Sequence, residues 1–218
     1  MCFSAAASFL TAGLTGTIGA VALAQTTERR QWPLAMIPML FALQQAAEGL
    51  LWLTLPVAPG SSPANLLVTL YLLFAEVFWP VYVPLAILIL EQDRKRRHLM
   101  LACLAAGIVA GGHLLWQLAT KSPSAVIFDG HIVYLLDNSH SELAFIAYIV
   151  ATGLAPMMSS HRAIALFGFS VLAGSVVAYN LYWQSFLSVW CFFAAAASML
   201  ILYCFAEMRR HRFATRRG

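Results

Sequence analysis

The chain has 218 residues, of which 61% are hydrophobic and 10% charged, with a formal net charge of +4 and a mean hydropathy of +0.77. Soluble domains carry about a quarter charged residues, so a soluble globular protein is excluded. The excess charge is confined to short runs, which leaves no basic domain for nucleic acid.

Seven apolar stretches follow one another: Ser4 to Ala24, Leu34 to Leu55, Asn65 to Leu90, His98 to Ala119, His140 to Met158, Ala163 to Tyr182 and Leu187 to Glu207. Each is close to the ~20 residues that carry a helix across ~30 Å of hydrocarbon. The expectation is an all-α, polytopic membrane protein made of one seven-helix transmembrane domain. Span one has no positive charge before it and no charge at all until Glu28, so it is expected to be retained rather than cleaved as a signal peptide. Cys2 follows no lipobox. Small residues at Ala12, Gly16 and Ala20 suit close helix packing.

Span two carries Gln44, Gln45, Glu48 and Trp52 at spacings of three and four, a polar and aromatic stripe on one face. Span three carries Glu76 one turn before Pro80, with Pro84 beyond it, and a proline that removes a backbone donor is expected to kink the helix there. Gly107 and Gly111 in span four form a second packing seam, followed by His113, Trp116 and Gln117. Between spans four and five lies a loop of 20 residues, Thr120 to Ser139, containing His131, Tyr134 and His140's neighbours. Loops of that length are more often functional than connecting. Ser139 and Glu142 form a capping box at the start of span five, which accounts for Glu142. Tyr179 and Asn180 close span six.

Twelve of the thirteen Lys and Arg residues fall after spans one, three, five and seven, in Arg29 and Arg30, Arg94 to Arg97, Arg162 and the tail from Arg209. The positive-inside rule then places the amino terminus outside and the carboxy terminus in the cytoplasm.

At 1.5 Å per residue, Glu48 and His113 both lie about 10 Å inside the outer ends of their spans. With Glu76, they are the acid and imidazole groups set deep in the spans, where an unpaired charge costs a few kcal/mol. They are therefore expected to share an outward-facing pocket with Cys2, Ser4, Gln44, Gln45, Glu76, Gln117, His131, Tyr134, Tyr179 and Asn180. Glu48 and His113 would act as general acid and base. With His140, the same pair could hold a divalent metal such as zinc or iron, although no H-x-x-x-H or H-E-x-x-H spacing is present. Cys2 has three readings: ligand or nucleophile, disulfide partner of Cys191, or packed thiol.

The opening Met-Cys-Phe-Ser-Ala, the Gln44-Gln45-x-x-Glu48-Gly49-x-x-Trp52 stripe, the His131-Ile-Val-Tyr134 segment and the Ser188-Val-Trp190-Cys191 start of span seven resemble an uncharacterised family of small bacterial integral membrane proteins. The resemblance covers nearly the whole chain and implies a bacterial inner-membrane location, with no activity attached. In architecture alone the chain is also similar to alkaline ceramidases and adiponectin-receptor-like hydrolases, but their last-helix histidine pair is missing from Leu187 to Glu207. Three functions follow as expectations: a hydrolase acting on a lipid or amphiphile, a transporter or proton-coupled channel using Glu48, Glu76 and His113, and a membrane sensor or scaffold. The partners expected are the bilayer and a small-molecule or lipid ligand.

Overall fold

Backbone groups in hydrocarbon have no water to bond to, so apolar stretches of this length satisfy themselves as helices. The computed structural model describes residues 4–136 and 142–215, with side chains as far as Met208. Its elements are α1 (Ala5–Ala24), α2 (Trp32–Thr54), α3 (Ser62–Leu90), α4 (Arg94–Thr120), a hairpin of β1 (Ser124–Phe128) and β2 (His131–Leu135), α5 (Glu142–Met157), α6 (Arg162–Leu181), α7 (Phe186–Ala197) and α8 (Met199–Thr215). Six apolar helical stretches among the described residues are long enough to cross a membrane, the last combining α7 with the start of α8, and α5 is a shorter apolar helix. The chain is thus an all-helical membrane-type protein with one small hairpin. Cys2 and His140 lie outside the described residues.

Helices α1 and α2 run antiparallel in close contact. A Cβ on Gly19 would stand 2.7 Å from the Met39 backbone nitrogen, one on Gly16 3.4 Å from the Ala42 side chain, and one on Gly49 2.8 Å from the Phe9 ring. Helices α3 and α4 meet along the expected Gly107 and Gly111 seam, where the backbone of Val77 and Pro80 comes close.

The disturbance expected around Pro80 takes the form of a wide turn. Residues Leu73–Phe78 form a π-helical turn within α3, and the Trp79 backbone N–H reaches back to the Phe74 carbonyl. That takes the donor an α-helix would offer Ala75, and the next residue, Pro80, has none. The Tyr148 hydroxyl of α5 donates to the Ala75 carbonyl in its place. Val150–Leu154 of α5 is also π-helical, again just before a proline, Pro156. Wide turns of this kind re-satisfy the backbone around a proline and are frequent at functional sites.

The 20-residue loop expected after span four is a correction. It contains an antiparallel hairpin closed by Phe128 opposite His131. Asp129 at φ 47° and Gly130 at φ 70° supply the two left-handed residues of a type I′ turn. Ala125 and Ile132 point inward into a cluster with Leu51, Val68, Tyr71 and Leu118, while Phe128 at the tip is 57% exposed. The hairpin thus lies across one end of the bundle, packed on α3, α7 and the turn Trp183–Ser185.

At the opposite end, Glu91 joins the two neighbouring turns. Its carboxylate accepts from the backbone N–H of Gln92 at 3.0 Å, Asp93 at 3.1 Å and Ser160 at 2.8 Å, and from the Ser160 hydroxyl at 2.9 Å. Burial pushes this carboxyl's pKa up, and the hydrogen bonds pull it down further, leaving it below the usual 4.5. A depressed native pKa contributes stability that is present above the ordinary value and lost as pH falls through the lowered one. Acid titration of the thermal midpoint in detergent should show this loss, and Glu91→Gln should lower the midpoint at neutral pH and flatten the acid limb.

Candidate functional site

Helix α2 crosses the interior with polar groups on an arc of about 100°, because Gln44, Glu48, Trp52 and Gln45 follow the 3.6-residue period. Gln44, Gln45 and Glu48 are completely buried. The Gln44 amide is fully used: its oxygen accepts from the Trp79 indole N–H at 2.6 Å, and its nitrogen donates to the Cys191 sulfur at 3.2 Å. It ties α2 to α3 and α7. Cys191 is a buried thiol without a disulfide partner among the described residues, and the readings of Cys2 fall outside them. Glu48 accepts from the hydroxyl of Ser188 on α7, itself completely buried.

Gln45 differs from its neighbours. Both its amide nitrogen and its amide oxygen are buried without a hydrogen-bond partner. The Ser8 hydroxyl of α1 and the Trp52 indole N–H are in the same condition. The α1/α2 contacts pair residues whose numbers sum to 58 at Gly16 with Ala42, Gly19 with Met39 and Phe9 with Gly49. At 1.5 Å per residue this register sets Ser8 within one helical turn of Glu48 in depth. Helices α1, α2 and α7 all touch one another, and β2 packs on α7 at the end of this compartment.

The hairpin residues Tyr134 and His131 belong to β2, which packs on α7. Tyr134 stacks on buried Tyr71 of α3 with ring centroids 4.6 Å apart and 6° between planes. The Tyr71 hydroxyl donates to the Leu187 carbonyl at the start of α7 at 3.4 Å. His131 donates through Nδ1 to the Asp129 carbonyl at 2.7 Å and lies 5.3 Å from the Tyr182 ring.

The other expected site residues are elsewhere. His113 is half-buried on α4, where the Gln117 amide donates to its Nε2 at 3.0 Å, and its ring lies 6.3 Å from Trp116. No hydrogen bond or ion pair joins His113 to Glu48, and the extended contacts of α4 are with α3, α5 and the turn that ends α5, not with α2. Equal depth in different helices did not make them neighbours. Ser4 caps α1 by accepting from the Ala7 N–H at 3.2 Å. Tyr179 is 46% exposed among Phe145, Trp183 and Phe186, and Asn180 is exposed and bonded to its own helix at Val176. Both belong to an aromatic and polar rim rather than to a pocket. Glu76 is buried in the π-turn of α3 with Oε2 lacking a partner.

Among the described residues no three His, Cys, Asp or Glu side chains gather in a way that could hold a metal. The expected set of Glu48, His113 and His140 therefore loses the pairing of its first two members, and the third lies outside the described residues. Ser188, which the sequence reading passed over as a segment start, is the residue that Glu48 engages.

A family model describing a family of unknown function, DUF6629, matches residues 1–217 of the chain, which belongs to that family. No curated protein and no solved structure matches it. The architectural likeness to alkaline ceramidases gains nothing from these comparisons.

Proposed function

We propose that this member of a family without an assigned activity is a seven-span protein of the bacterial inner membrane that binds a small polar molecule between α1, α2 and α7, beneath the hairpin. In this reading the amino terminus is outside and α5 completes the seventh crossing. The observation that carries it is the Gln45 amide, completely buried and without a partner for either its donor or its acceptor. A buried polar group left unsatisfied costs about 1–3 kcal/mol, so a protein retains one where something else satisfies it. Gln45 offers a donor pair and an acceptor, Trp52 a donor, Ser8 a hydroxyl, and Glu48 a carboxyl held by Ser188. That set recognises a molecule of a few heavy atoms able both to donate and to accept. Access runs past the hairpin, whose hold on the bundle includes the Tyr134 to Tyr71 stack.

Metal-assisted hydrolysis and a Glu48, Glu76 and His113 proton path both need contacts that His113 does not make, and binding needs none of them. The test is native mass spectrometry of the full chain purified in mild detergent. A co-purified small molecule is expected, with Glu48→Gln and Ser188→Ala each reducing its occupancy about tenfold, the worth of one hydrogen bond to a charged group.

A further inference from the structure

A cleft among the described residues lies at the arginine-rich end, opposite the hairpin. It has a volume of about 410 Å³ and is walled by Arg30 and Gln31 before α2, Gln92 after α3, His161 and Arg162 at the start of α6, and Glu207 on α8. That volume is in the range of small-molecule sites, about 300–1,000 Å³. Its walls are fixed from behind by the Glu91 network, which sets the turns bearing Gln92 and His161.

The charges in it are unevenly used. The Arg30 guanidinium is held on one side by Glu28, and its Nη1 lies 3.1 Å from the Gln92 amide oxygen once that amide is turned to accept. Among the described residues, neither Arg162, which is exposed, nor Glu207, which is half-buried, makes a hydrogen bond or ion pair, although both line one cleft. His161, the N-cap of α6, provides no side-chain cap, so the first-turn N–H groups of this 20-residue helix add their positive end to the same wall. An unpaired base and an unpaired acid held apart on two walls match one ligand carrying both charges. A phosphate suits Arg162, the helix end and the positive charge of nearby Arg30, and an ammonium suits Glu207. Trp32, 57% exposed on the next residue after Gln31, marks this end as interfacial.

We propose that this cleft binds a phosphoethanolamine group, with the phosphate at Arg162 and Arg30 and the amine at Glu207. The chemistry is shared by a lipid head group and by a soluble phosphoethanolamine compound.

Native mass spectrometry of the full chain in detergent tests it, titrating phosphatidylethanolamine, phosphatidylglycerol and soluble phosphoethanolamine. Wild type is expected to retain the ethanolamine lipid up to about fivefold more strongly than the glycerol lipid, the scale of one exposed charge pair. Arg162→Gln should weaken both lipids, Glu207→Gln should abolish the preference, and Glu207→Asp should restore part of it. Both side chains are without partners among the described residues, so unchanged thermal midpoints will separate lost binding from lost folding. Adducts with soluble phosphoethanolamine as persistent as those with the lipid support the same group chemistry and assign it to a soluble source. Equal retention of the two lipids by wild type, or an ethanolamine preference that survives Glu207→Gln, overturns the proposal.

Discussion

Gly107→Ala is expected to destabilise the protein by about 3 kcal/mol or more, at or beyond the upper end of overpacking changes. The added Cβ would stand 1.8 Å from the Pro80 carbonyl oxygen, 2.7 Å from its carbon and 3.1 Å from the Ala151 side chain. The first two are backbone atoms next to a π-turn that already spends its local freedom around a proline, so no rotamer change can make room. Helix α4 would have to move off α3, which also opens the contact one turn on at Gly111, where an added Cβ would stand 2.9 Å from the Val77 carbonyl oxygen. Gly112→Ala is the matched control, since its Cβ meets nothing within 4 Å. It replaces a poor helix former by the best one, for an expected gain of about 0.5–1 kcal/mol. Thermal unfolding of the two variants in one detergent should therefore shift in opposite directions from wild type.

Hydropathy carried most of the architecture, because a helix that spans hydrocarbon is specified by length and polarity alone. The Gly107 and Gly111 seam was legible for a similar reason, since close backbone approach requires small residues four apart. The hairpin was also readable. Asp129-Gly130 stands between Val126-Ile127-Phe128 and Ile132-Val133-Tyr134, and a two-residue Asp-Gly turn between β-branched runs is a strong local signal. Pro80 announced a disturbed helix, but the carbonyl that its turn leaves free, Ala75, is satisfied by Tyr148, 73 residues beyond Ala75.

The site was half legible. Spacing along α2 put Gln44, Gln45 and Glu48 on one inward arc, and that held. Depth along a span is a single coordinate, however, and the pairing of Glu48 with His113 needed helix adjacency as well, which no local pattern encodes. Ser188 is 140 residues from Glu48. A serine at the start of a span is an ordinary residue until the partner helix is known.

The claim that the α2 compartment exists to hold a ligand is tested most directly at Gln45. Gln45→Leu keeps nearly the same volume while removing a buried amide that makes no hydrogen bond with the described residues. Replacing such a group by an apolar isostere recovers a desolvation cost of about 1–3 kcal/mol. A binding residue should therefore show opposite effects on stability and binding, as residues that give up stability for function do. The measurement is thermal unfolding of ligand-stripped wild type and Gln45→Leu together with native mass spectra of both proteins as purified. The expected result is a higher midpoint for the variant with the co-purified molecule gone. A lower midpoint for Gln45→Leu, or an adduct retained at the wild-type level, would contradict a binding role for the compartment.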